Sequence, residues 1–317
     1  MARVQRWLHR AAPHRFSRSL GALAGRVGTL RIDKRGPRIE GGAPWVVVVG
    51  GVSVGGAGKT PVTLWLAQMF HASGLSVAVV SRGYKGDAGG GQRLDVADPL
   101  IGGDEGAMLR ASLPEQIEVW VGKDRQHIIR STSAEVVVVD DGWLDPTLAR
   151  HREVVVVDAG AARAVWPAGP LRVPLECIPP VDCVWVHKVE QCRGGVPEGD
   201  VVSAMAPERL VDPLGQVWPP SHLRGRTVSA WCAIGRPASF FATLESLGAR
   251  VVHQLEGLDH VSPRAKSIAR AKSAASICVT TAKDAARDPT LAAGCWVLHV
   301  GLDIRLGEAC ALGLGPP

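Results

Sequence analysis

Among the seven cysteines of this 317-residue chain no two stand in a CxxC spacing. That excludes a zinc knuckle or an evident disulfide framework and suits a reducing compartment. No window supplies the roughly 18 consecutive apolar residues that a spanning helix needs. Arginines punctuate the N-terminal segment where the apolar stretch of a cleaved signal peptide would have to lie. There is no internal repeat, and no NKxD-like string of the kind that reads guanine. Tyrosine occurs once, as Tyr84. What is present, 46% hydrophobic and 21% charged residues, is the composition of a globular protein with room for one large or two ordinary α/β domains.

The formal net charge of +6 is unevenly placed. Residues 1–40 carry ten basic side chains against Asp33 and Glu40, which leaves the remainder slightly acidic. A body of that kind argues against nucleic acid as a partner and for a cationic N-terminal arm. Within the arm, Val4, Trp7, Leu8 and Ala11 fall at helical spacing, and after Pro13 so do Phe16, Leu20, Leu23, Val27 and Leu30. Apolar side chains on one side and guanidinium groups on the other make an interfacial helix, suited to anionic lipid headgroups. An ordinary helix packed on the body with a solvated basic face has the same pattern, and both readings stay open.

From residue 41 the chain reads as a mostly parallel α/β sheet. Val46–Val49, Val77–Val80, Val119–Val121, Val136–Val139 and Val154–Val157 are valine-rich runs without alternation, the signature of strands buried on both faces. The expected organisation is a basic amphipathic arm over 1–40, a P-loop domain over 41–200, a Pro-rich linker over 201–225 and a smaller α/β domain over 226–317. Strands in the last part are expected at Thr227–Ile234, Arg250–Val252, Ile277–Thr280 and Trp296–Val300.

The first of these strands is followed by Ser53-Val54-Gly55-Gly56-Ala57-Gly58-Lys59-Thr60 and then a Pro-initiated helix. This is the context of a phosphate-binding loop. Backbone amides of Val54, Gly55, Gly56, Ala57 and Gly58 can converge on phosphate oxygens, Lys59 can reach the β and γ phosphates, and the Thr60 hydroxyl can hold Mg²⁺. Ser53 replaces the glycine that opens the strict pattern. Asp140 and Asp141 end the Val136–Val139 run, where a carboxylate would point into the ligand crevice of an open α/β sheet. Asp158 ends a similar run, so spacing alone does not choose between them.

VGGAGKTP (54–61), SRGYKG (81–86), GDEGAML (103–109), VVVVDDG (136–142), PAGPLR (167–172), FFATLESLGA (240–249), Asp259-His260 and TAKDAAR (281–287) occur in this order. The set resembles the tetraacyldisaccharide 4′-kinase family of lipid A biosynthesis. The resemblance implies a P-loop α/β fold with a second, smaller α/β domain. It also implies transfer of the ATP γ-phosphate to the 4′-hydroxyl of an acylated glucosamine disaccharide 1-phosphate, with Mg²⁺. By the same resemblance, Lys59 and Thr60 serve the phosphates and metal, and Asp104 activates the acceptor hydroxyl with His260 orienting it. Glu105, Asp140 and Asp141 lie near metal and nucleotide. A peripheral place on the cytoplasmic face of a Gram-negative inner membrane, held by the arm, follows as an expectation.

Departures from the family pattern cluster around the same pockets. Leu144 and Asp145 stand where Gln-His is usual, Val173 and Ala282 replace acidic residues, and Val261 replaces a histidine. Two other readings stay open at this point: a P-loop switch or metallochaperone-like NTPase that hydrolyses nucleotide to drive partner binding, and, given Leu144, Asp145 and Ala282, a nonenzymatic nucleotide-binding membrane scaffold.

Overall fold

The computed structural model describes residues 35–53, 56–84, 86–87, 89–161, 164–165, 169–191, 198–258 and 261–316. The expectations for residues 1–34 of the N-terminal arm, Val54, Gly55, Lys85, Pro167, Ala168, Asp259 and His260 thus lie outside the described residues. In the first half, β1 (Trp45–Gly51), β2 (Val77–Ser81), the short β3 (Gln92–Arg93), β4 (Glu118–Val121), β5 (Val136–Val139), β6 (Arg152–Asp158) and β7 (Cys183–His187) alternate with α1 (Lys59–Ala72), α2 (Pro99–Ser112) and α3 (Arg125–Ser131). The second half contains β8 (Val201–Val211), β9 (Val217–Trp218), β10 (Thr227–Cys232), α4 (Pro237–Ser246), β11 (Arg250–Glu256), α5 (Ala265–Ser273) and β12 (Ile277–Thr281). It ends with α6 (Ala282–Arg287), α7 (Pro289–Ala292), β13 (Trp296–Leu306) and α8 (Glu308–Leu312).

The unalternating valines are explained by two cores. On β1, Val47 and Val49 join Leu66 and Phe70 of α1 on one face, while Val46 and Val48 join Ile128, Ile129 and Trp143 on the other. Each buried valine contributes roughly 1.5 kcal/mol or more, so a strand covered on both sides gains from apolar residues at every position.

The thirteen strands form one sheet, in the order β11-β10-β12-β13-β8-β7-β6-β1-β5-β2-β4-β3, with β9 on β8. Its two halves meet in a long ribbon. β8 and β13 pair antiparallel from Val202 opposite Leu306 to Val211 opposite Val297. β8 pairs with the first half through Val201 and Val202, beside Trp185 and Val186 of β7. β13 touches β12 through Trp296–Leu298, beside Val279–Thr281. Each long strand thus leaves its own parallel set at the C-terminal edge and runs to the other set. The C-terminal edges of the two sets face one another, and these are the edges at which α/β sheets bind ligands.

The segment 201–225, expected as a linker because of its prolines, therefore begins with an eleven-residue strand. Pro207 is tolerated because it lies where the register shifts, opposite Val300, and a bulge does not call on the missing N–H. The chain end also crosses back: Ala311 and Leu314 sit in the core beside Trp45, whose indole N–H donates to the Leu314 carbonyl at 2.9 Å.

Candidate active site

The phosphate loop joins β1 to α1 at the C-terminal edge of the first half. Gly58 caps α1 in the left-handed region at φ 86, and no side chain caps the helix, so the amides of its first turn remain for an anion. A Cβ at Gly58 would stand 2.1 Å from Cδ2 of His187, which makes glycine obligatory by space as well as conformation. His187 is fully buried and its Nδ1 lies 2.9 Å from the Ser203 hydroxyl. Burial, helped by Lys188, pushes its pKa down to about 3, so the loop packs on a neutral ring.

β5 lies directly beside β1 and delivers Asp140 and Asp141. The Thr63 hydroxyl donates to Asp140 Oδ1 at 2.9 Å, and the Thr60 hydroxyl faces Oδ2 at 3.3 Å. Burial, then the charges of Glu105 and Asp141, push the Asp140 carboxyl up to about 6, with Lys59 opposing. Asp141 occupies the left-handed region at φ 49, and its Oδ1 lies 3.7 Å from Lys59 Nζ and 3.8 Å from Arg172. The structure thus brings Lys59, Thr60, Glu105, Asp140 and Asp141 into one electrostatic neighbourhood. Asp158 stands apart from the Thr60–Asp140 pair: its carboxylate is taken by Lys188 at 3.1 Å and by Arg236 at 3.0 Å.

Arg125, which has no local sequence signature, holds this turn in place. It donates to the carbonyls of Asp140 and Asp141, each at 3.1 Å, and to the Asp145 carboxylate at 2.6 Å. The Asp145 departure therefore has a partner. Burial opposes its ionisation, but Thr147 and Arg125 hold the carboxyl below its usual range. Val173, where the resemblance calls for an acid, is fully buried in an apolar cluster with Leu171 and Leu175.

Asp104 and Glu105 sit on α2 immediately after a kink. Asp98 caps the helix by accepting from Leu100 N–H, and Gly103 interrupts it at φ 64. A Cβ on Gly103 would lie 2.0 Å from the Tyr84 carbonyl oxygen, and one on Gly86 would lie 2.1 Å from that of Ile101. The SRGYKG loop and the GGDEG kink thus fit backbone against backbone, which explains why both strings are glycine-flanked. Asp104 itself is 9% exposed.

From the second half, α6 packs against α2. Asp284 is fully buried and accepts from Ala233 N–H and the Thr281 hydroxyl, with Arg287 as its ion partner. The aspartate of TAKDAAR is thus a structural tie between the loop after β10 and α6. Lys188 likewise carries no sequence signature. It has φ 63, and burial pushes its ammonium below the ordinary lysine value against the pull of Asp158. Lys188, Arg236 and Arg125 come from separate segments, and no spacing rule links them. Among the described residues no three His, Cys, Asp or Glu side chains form a ready-made metal cage.

The family model for "Tetraacyldisaccharide-1-P 4′-kinase" (LpxK) matches residues 16–312. A tetraacyldisaccharide 4′-kinase of Methylobacterium radiotolerans is 37% identical over 306 residues, covering 92% of this chain and 90% of the relative. That of Halorhodospira halophila is 36% identical, covering 94% and 91%. The fold is similar to a crystal structure of LpxK from Aquifex aeolicus in complex with ATP, with a TM-score of 0.70 at 23% identity over 93% of this chain and 96% of that one. The chain belongs to the tetraacyldisaccharide-1-P 4′-kinase family.

Proposed function

We propose that this chain is the lipid kinase that moves the γ-phosphate of ATP to the 4′-hydroxyl of a tetraacyldisaccharide 1-phosphate. The observation that carries the reading is the convergence of the uncapped α1 terminus, Lys59 and Thr60 with Asp140 and the Glu105 carboxylate of α2. Phosphoryl transfer asks the protein for little beyond positioning and charge. The first-turn amides and Lys59 bind and orient the phosphates, and the acceptor hydroxyl is served by a carboxylate that takes its proton as the bond to phosphorus forms. Asp104 is assigned that proton, and His260 the task of orienting Asp104.

The donor set fits Mg²⁺. Thr60 and Asp140 offer hard oxygen ligands, and the raised Asp140 pKa marks a buried carboxylate that lacks enough positive charge nearby. Two such ligands with Glu105 and Asp141 close by suit an ion that keeps waters and phosphate oxygens in its shell. When bound, the ion neutralises charge on the β and γ phosphates. The acylated substrate places the reaction at a membrane surface, and the basic arm is assigned to dock there on anionic lipid, on the cytoplasmic face.

Purified protein with Mg-ATP and tetraacyldisaccharide 1-phosphate should yield the bisphosphorylated disaccharide, one phosphate per acceptor. Steady ATP consumption with no change in the acceptor would favour a switch NTPase and overturn the reading.

A further inference from the structure

Asp158 ends β6 on the same strand edge as the phosphate loop, with its side chain 2% exposed. One of its oxygens, Oδ2, meets both Lys188 Nζ at 3.1 Å and Arg236 at 3.0 Å; the other faces Arg236 at 3.4 Å and accepts the Gly160 N–H at 3.0 Å. Lys188 follows β7, and its ammonium also donates to the carbonyl of Gly56 inside the phosphate loop. Arg236 belongs to the other half of the molecule, in the loop between β10 and α4, where it is the residue before the helix. A chain of three contacts therefore runs from the phosphate loop through Lys188 and Asp158 to the second half.

The peptide plane gives this chain a consequence at the nucleotide. In a trans peptide the C=O of one residue and the N–H of the next point in opposite directions. An ammonium that draws the Gly56 carbonyl toward itself therefore turns the Ala57 N–H away from Lys188, free to serve an anion cradled by the loop. Asp158 competes for the same ammonium. With Arg236 docked, the aspartate's charge is shared between two cations; without it, Asp158 faces Lys188 alone and draws it from Gly56.

We propose that Lys188 is a positioning residue that sets the Gly56–Ala57 peptide for nucleotide, and that Asp158 makes this setting depend on the docking of Arg236 from the second half. The proposal rests on the reading of this loop as the ATP site and adds a coupling between that site and the approach of the two halves. The coupling is reciprocal: bound nucleotide favours the docked arginine as much as the docked arginine favours nucleotide.

The test is a double-mutant cycle read by calorimetry of a nonhydrolysable ATP analogue with Mg²⁺ on the full chain, with no lipid acceptor. Arg236→Gln is expected to weaken binding roughly fivefold to tenfold, and Arg236→Lys to restore most of it. Lys188→Met should weaken binding by a similar or larger factor. In the Lys188→Met background, Arg236→Gln should have no further effect, because the relay is already cut. Should Lys188→Met fail to fold by thermal melt, Arg236→Gln against Arg236→Lys still decides the matter. Unchanged affinity in Arg236→Gln, or effects of the two substitutions that simply multiply, would overturn the coupling while leaving the ATP site in place. A wild-type chain that binds no analogue would overturn the site itself.

Discussion

Thr63 and Asp140, 77 residues apart in sequence, share a 2.9 Å hydrogen bond in the buried wall between α1 and β5. It holds a carboxylate with no exposed surface to speak of beside Thr60, and with Glu105 and Asp141 as negative neighbours. Evolutionarily inert cores avoid such a group, because a buried charge without full compensation destabilises the fold.

Asp140→Asn should therefore stabilise the metal-free protein while removing activity. The folded pKa of about 6 lies above the ordinary carboxylate value, so the cost is fully present above that pH and fades as pH falls through it. At pH 7.5 the asparagine variant is expected to gain up to about 3 kcal/mol. Near pH 4 the gain should vanish. Chemical melts of both proteins across this range, in chelator, measure it.

The contact between the SRGYKG loop and the α2 kink predicts an effect at a distance. Gly103→Ala combines a left-handed φ with a Cβ 2.0 Å from a backbone oxygen and should cost about 1–3 kcal/mol from strain alone. Because Asp104 is the next residue, turnover should fall more than nucleotide affinity. Gly86→Ala, which meets backbone at 2.1 Å, should act in the same direction. Gly90→Ala, where a Cβ meets nothing within 4 Å, serves as the control and should be neutral.

Arg125→Ala removes the donor to two carbonyls and to Asp145 in the turn that carries Asp140 and Asp141. A loss of about 2–4 kcal/mol in urea unfolding is expected, together with weaker Mg²⁺-dependent activation. Arg125→Lys should recover only part, since one ammonium cannot span the three acceptors that the planar guanidinium serves. Full recovery with lysine would show that the turn needs charge and not shape.

What the sequence revealed and what it hid divide on physical grounds. The valine runs, the glycine-rich loop and the acidic strand end are local, because burial on both faces, phosphate cradling and strand-edge placement each act within a few residues. The ribbon of β8 and β13 is not local. Its prolines suggest a linker, and only the pairing of Pro207 with the register shift at Val300 shows how a strand accommodates one. Spacing equally hides the division of labour between Asp140 and Asp158, although the family resemblance singles out Asp140. Both end buried strands, and the difference lies in Thr60 and Thr63 beside one and in Lys188 and Arg236 beside the other. Asp259-His260 and the helical stripes of residues 1–34 remain sequence expectations outside the described residues.

A nucleotide held at Lys59 is expected to present its terminal phosphate to Asp104. A crystal structure of the chain with Mg²⁺ and a nonhydrolysable ATP analogue tests this directly, supported by Asp104→Ala kinetics. The γ-phosphate is expected on the α2 side of the loop with the Asp104 carboxylate facing it, and Asp104→Ala is expected to lose about a hundredfold or more in turnover with nucleotide affinity little changed. A terminal phosphate turned away from α2, with Asp104→Ala still active, would contradict it.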